Sequence, residues 1–151
     1  MTAPHLAAIL LLTGAPGVGK TTGARMLAAD SDRAVHLEAD LFFDSIKSGF
    51  IEPWKPESRD QNAIVMRIVG DAAAAYAAAG YFTIVDGIII PGFFLEPLRD
   101  SLRDAGHGVA YAVLRAPLGV CVSRAAGRET QPPAEAADLL AQRLRDGLLA
   151  I

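Results

Sequence analysis

Three short apolar runs, spaced among longer amphipathic tracts, set the outline of this chain. Leu6 to Thr13, Tyr81 to Asp86 and Val109 to Leu114 are apolar almost without interruption. That is the pattern of parallel strands covered on both faces. Ala34 to Ala39 is a fourth candidate strand, ending beside Asp40. Between the strands the spacing turns helical. A helix is expected from Gly19 to about Ala29, with Ala24, Leu27 and Ala28 facing inward. Leu41 to Lys47 reads as a short helix and Ser58 to Ala79 as a long one. Ile64, Ile68, Ala72 and Ala75 would form the inner face of the long helix, with Val65 and Val69 beside it. Ser58 and Gln61 have the spacing of a capping box, Arg67 and Asp71 that of a surface pair, and Gly80 suits a left-handed end. Phe94 to Ala105 is another helix, tolerating Pro97 only near its first turn. Pro117 opens a helix to about Ala125, and Glu135 to Leu149 forms the last.

Strand and helix alternate throughout. Right-handed crossovers then build an α/β fold, three layers deep, around a central parallel sheet of four or five strands.

The turn after the first strand changes the picture. Gly14-Ala15-Pro16-Gly17-Val18-Gly19-Lys20-Thr21 satisfies every fixed position of G-x-x-x-x-G-K-[ST], and it lies between a strand and a helix. Glycines let the backbone turn its N–H groups toward a phosphate, and the helix start adds its own. Lys20 would reach the β- and γ-phosphates, Thr21 would hold Mg²⁺, and Thr22 would donate to the α-phosphate. The cofactors expected are therefore ATP and Mg²⁺.

Two acids stand where such a cleft needs them. Asp40 follows the second strand and Asp86 ends the third. Asp86 is the expected metal-side acid and Asp40 the acid that orients or deprotonates an acceptor hydroxyl, although the two roles can exchange. Glu38 lies two residues before Asp40 and shares its strand face. Arg124 and Arg128, four apart, would start an arginine-bearing lid. Trp54 either floors an acceptor pocket or closes a local core. Lys47, Lys55 and Arg59 would face an anionic acceptor, and Ile88 to Ile90 with Phe93 and Phe94 either line the acceptor side or belong to the core.

Composition narrows the classes. The chain has 151 residues, enough for one domain, and a formal net charge of -3. That balance argues against nucleic acid as a partner. Three histidines and one cysteine offer no structural zinc cluster and no internal disulfide, which suggests a cytoplasmic setting. The first apolar run is too short for a membrane span.

These features together resemble the phosphate-loop small-molecule kinases of the shikimate kinase, gluconate kinase and chloramphenicol phosphotransferase group. The resemblance rests on Gly14 to Thr21, His36 to Asp40, Ile84 to Gly87 and Val120 to Arg128. It implies a P-loop NTPase fold, ATP as donor, a small hydroxyl compound as acceptor and Asp40 as the acceptor-side acid. It further implies Glu38 near Mg²⁺, Arg124 near the nucleotide, Arg128 near the transferring phosphoryl group, and an acceptor-facing segment from Phe43 to Arg59. Asp86-Gly87-Ile88 replaces the glycine triplet of shikimate kinases, which points away from shikimate. One domain is expected over 1–151, without a counterpart for the group's usual last strand and helix before Ile151. An uncovered sheet edge would then allow a homodimer as well as a monomer. The competing expectation is a phosphate-loop NTPase or nucleotide sensor with no acceptor.

Overall fold

The computed structural model describes residues 8–117, 119–121 and 123. Its strands are β1 (Ile9–Gly14), β2 (Ala34–Glu38), β3 (Phe82–Asp86) and β4 (Val109–Leu114), and its helices are α1 (Lys20–Ala29), α2 (Ala39–Asp44), α3 (Arg59–Ala78) and α4 (Leu95–Asp104). All pairings are parallel, in the order β2-β3-β1-β4. This is the three-layer α/β arrangement of P-loop NTPases. Chain direction reverses between β1, which leads left to β2, and β3, which leads right to β4. Ligands gather at the carboxyl ends of the strands beside such a switch point.

Alternation along each strand explains the layers. Ile9, Leu11, Leu37 and Val85 face one side, where Val65, Val69 and Ala73 of α3 and Leu95, Leu98 and Leu102 of α4 cover them. Leu12 and Ile84 face the other side and pack with Ala24 of α1. The register Leu12 with Asp86 and Glu38 with Asp86 brings three strand ends to one rim.

Four expectations shift. The inner face of α3 is one residue further on. Val65, Met66, Val69 and Ala73 are buried, whereas Ile64 is 53% and Ile68 46% exposed. Both stripes are apolar, so periodicity alone could not choose between them. Leu27 of α1 is likewise exposed, and Ala24 is that helix's buried residue. The short helix begins at Ala39 rather than Leu41, which puts Asp40 inside its first turn and Glu38 at the cap position. The capping box does not form. A 3₁₀ turn at Pro56–Ser58 runs straight into α3, so Ser58 is already helical. Its hydroxyl donates to Pro53 and Lys55 carbonyls instead, while Gln61 bonds both backbone groups of Ile51.

Gly80 does end α3 in a left-handed turn (φ 85°), with Tyr81 N–H reaching back to Tyr76. β4 lies at the sheet edge beside β1 among the described residues. The helix expected from Glu135 to Leu149 lies outside them. No described helix is long and apolar enough to cross a membrane.

Candidate active site

The phosphate loop takes the shape its glycines require. Gly19 caps α1 with φ 100°, a region open to glycine and strained for other residues. Gly14 has no room for a side chain: a Cβ there would stand 2.6 Å from Val18 Cγ1 and 2.7 Å from the Leu114 carbonyl. Val18 N–H closes an inner turn onto Ala15 (3.1 Å), and Gly23 N–H reaches Gly19 (2.9 Å) as α1 begins. Pro16 is buried in the loop. Lys20 and Thr21 occupy the first turn of α1, with Thr22 exposed beside them. Lys20 Nζ donates to the Gly14 and Ala15 carbonyls at 3.0 and 3.2 Å, so the ammonium lies over the loop.

Asp86, 5% exposed, ends β3 at the same rim. His36 of β2 hydrogen-bonds through Nε2 to Asp86 Oδ2. The register explains the meeting: His36 pairs with Ile84, which makes Asp86 its diagonal neighbour on the same sheet face. Sequence reasoning missed His36. The alternation of β2 places it on the face of Glu38, but only the adjacency of β2 and β3 brings it to Asp86.

Asp40 projects from the first turn of α2 with its side chain exposed by area. The surrounding protein nevertheless strips enough water to raise its carboxyl pKa. Lys20 opposes that rise, and repulsion from Asp86, Asp44 and Glu38 adds to it. Lys20 and Asp86 therefore both lie within electrostatic reach of Asp40. Glu38 is held from α1 by Arg25, Nη2 to Oε1 at 3.4 Å.

The loop after β3 is clamped. Ile89 N–H donates to buried Thr13 Oγ1 (2.9 Å), and Tyr111 OH donates to the Ile89 carbonyl (2.8 Å). Gly87 N–H continues the ladder to Leu12 (3.2 Å). Burial pushes the Tyr111 phenol up to about 12, with repulsion from Glu96 second. Ile89, Ile90 and Phe94 are buried and so belong to the core rather than to an acceptor surface. Lys55 is paired with Glu52 at 2.7 Å, Lys47 and Arg59 are exposed, and Arg67 makes no ion pair with Asp71 among the described residues. Trp54 is half-buried. Arg124 and Arg128 lie outside the described residues.

Among the described residues no three His, Cys, Asp or Glu side chains converge into an all-protein metal cage. The donors present suit Mg²⁺ instead, which takes one or two protein oxygens and completes its shell with phosphate and water. The Thr21 hydroxyl at the start of α1 and the Asp86 carboxylate at the end of β3 are oxygens of that kind.

Comparison with known proteins agrees with this geometry. The structure of the Pnkp1/Rnl/Hen1 RNA repair complex contains a chain that superposes with TM-score 0.73 at 20% identity, covering 99% of this chain and 48% of that one. This chain thus spans about half the length of that relative. A sugar kinase from Janibacter sp. HTCC2649 gives TM-score 0.62 at 25% identity, covering 92% and 78%. Shikimate kinase from Acinetobacter baumannii gives 0.54 at 22%, covering 96% and 75%. The structural likeness to P-loop small-molecule kinases expected from the sequence is therefore present. No curated protein sequence matches the chain. The model of an AAA domain family matches residues 9–148, and the chain belongs to that family.

Proposed function

We propose that this chain transfers the γ-phosphoryl group of ATP to a hydroxyl of a small molecule. The observation that carries the reading is the phosphate loop, with Lys20 lying over it, at the rim where β3 ends in Asp86 and Asp40 opens α2 beside the end of β2. Phosphoryl transfer asks mainly for positioning and charge stabilisation. The backbone of Gly14, Ala15, Pro16, Gly17, Val18 and Gly19 cradles the phosphates, with the Thr22 hydroxyl on the α-phosphate. Lys20 exchanges its loop carbonyls for phosphate oxygens and neutralises charge on the group in flight. Thr21 and Asp86 would hold Mg²⁺, with Glu38 beside them at the end of β2. When bound, Mg²⁺ supplies charge neutralisation at the β- and γ-phosphates.

Asp40 takes the proton of the acceptor hydroxyl. The acceptor oxygen bonds to the γ-phosphorus as the bond to the β–γ bridging oxygen breaks, and ADP leaves. A carboxyl held above its ordinary pKa is a better base than a fully solvated one. Arg124 and Arg128 are the proposed lid arginines, facing the nucleotide and the transferring group respectively. The reading takes 1–151 as one cytoplasmic kinase-like domain, acting as a monomer or homodimer.

The likeness to a chain of an RNA repair complex favours a second acceptor class, a hydroxyl at a nucleic-acid end. The net charge of -3 weighs for the small molecule. A pooled library of sugars, aminocyclitols, nucleosides and hydroxyl-ended oligonucleotides, incubated with ATP and read by product mass, separates the two. A one-phosphoryl gain on a small alcohol supports the reading. The same gain on oligonucleotides alone replaces the acceptor class. ADP release with no phosphorylated product moves the chain to the NTPase or sensor class.

A further inference from the structure

The outward face of α3 is apolar where a solvated helix would be polar. The helix has 20 residues, and its charged members are Arg59, Asp60, Arg67 and Asp71. At about 1.5 Å per residue it is roughly 30 Å long. One side covers the sheet through Val65, Val69 and Ala73. The other side carries Ile64, Arg67, Ile68, Asp71, Ala75 and Ala78, all exposed. Spacings of one, three and four residues keep these six on one stripe. A lone exposed apolar side chain is ordinary on a protein surface. Two isoleucines one turn apart, on the face that a surface helix gives to water, mark a face built to be covered.

The stripe is complementary to itself. Arg67 and Asp71 are four apart, yet neither makes an ion pair with the other or with any other described residue. Size also divides along the helix: the isoleucines stand in its first half and the alanines in its last. A second α3 can lie antiparallel to the first, about a two-fold axis at the level of Val69. Arg67 then meets the partner's Asp71, and Asp71 meets the partner's Arg67. Ile64 meets the partner's Ala75, so a large side chain faces a small one at both ends. Such reciprocity is what an isologous interface requires. Large-on-small pairing lets two helix axes approach to about 8–10 Å.

We propose that a second copy of this chain docks on the outer face of α3, through an antiparallel helix pair tied by two reciprocal Arg67–Asp71 bridges. The interface lies on this helix and not on the open edge of β4. α1 packs on the opposite face of the sheet, so the pairing leaves the helix that starts at Lys20 uncovered. The inference is independent of the phosphoryl-transfer reading. A single helix pair falls short of the roughly 1,200–2,000 Å² buried in stable interfaces, so the dimer is a weak one, with a dissociation constant on the order of 10 μM.

Sedimentation of the full chain between about 1 and about 300 μM should show monomer passing to dimer. Arg67→Asp should raise the dissociation constant at least about tenfold, and Asp71→Arg likewise, because each sets like charges opposite one another at two symmetry-related places. An equimolar mixture of the two variants should dimerise about as tightly as wild type, since each chain supplies the charge the other lacks. Both positions are exposed, so both variants should melt like wild type and bind a non-hydrolysable ATP analogue as it does. Ile64→Lys, outside the bridges, should weaken the dimer as well and decides the matter if a charge variant does not fold. A monomer throughout the range, a dimer indifferent to these substitutions, or a mixture that fails to recover would each overturn the proposal.

Discussion

His36 Nε2 is hydrogen-bonded to Asp86 Oδ2 across the β2–β3 pair, so the carboxylate at the end of β3 is oriented by a neighbouring strand. One oxygen is committed to the imidazole, which leaves the other for the proposed Mg²⁺. His36 touches no reacting atom in this account. It is a positioning residue for Asp86.

His36→Leu should therefore weaken the dependence of nucleotide binding on Mg²⁺. We expect the Mg²⁺ concentration for half-maximal binding of a fluorescent ATP analogue to rise about tenfold, the scale seen when a partner behind a metal ligand is removed. His36→Gln keeps a donor and should recover most of the loss. A merely structural histidine would lower the melting temperature without moving the Mg²⁺ midpoint.

The raised pKa of Asp40 has a consequence for stability. A carboxyl that binds its proton more tightly in the folded chain favours folding at low pH and loses that advantage as pH rises past the unfolded value, near about 4, through the folded one. At neutral pH the ionised Asp40 then works against the fold. Asp40→Asn should melt higher than wild type at pH 7, and the gain should vanish at about pH 4. Thermal melts across that range check the sign. A variant less stable at pH 7 would contradict the crowding assigned to this carboxyl.

Tyr111 and Thr13 grip the Ile89 backbone from two different strands. Tyr111→Phe keeps the ring and removes the donor to a carbonyl whose residue is fully buried. The expected cost is about 1–3 kcal/mol by chemical denaturation. With the phenol pushed up to about 12, wild type should also lose stability as pH rises above about 10, and the variant should lack that alkaline limb.

Gly14 admits no side chain. Gly14→Ala would press a methyl group against Val18 and the Leu114 carbonyl, the second of which is backbone and cannot rotate away. A loss of about 1–3 kcal/mol is expected, together with a smaller thermal stabilisation by ATP. An unaltered ATP-induced shift would mean the loop tolerates the displacement.

These tests separate what local sequence specifies from what only the assembled sheet specifies. The phosphate loop, the strand ending at Asp86 and the turn at Gly80 were legible because their requirements are short-range: φ above zero at Gly19 and Gly80, and an apolar run that stops at an acid. The buried face of α3 was not. Ile64 and Ile68 are as apolar as Val65 and Val69, and the choice falls to the contact with α4 and β3. Ser58 and Gln61 match a helix-capping pattern, yet the preceding 3₁₀ turn gives both side chains other partners. The His36–Asp86 bond spans 50 residues and the Thr13–Ile89 bond 76, so neither leaves a local trace.

The central claim is that Asp40 serves the acceptor and not the nucleotide. It is tested most directly by measuring phosphorylated product and ATP affinity on the same preparations of wild type and Asp40→Asn, with the best acceptor from the library. The account predicts that product formation falls at least about a hundredfold, the lower bound for loss of a general base. ATP affinity should stay within about threefold. Product formation near the wild-type rate, or an equal collapse of ATP binding, would contradict it.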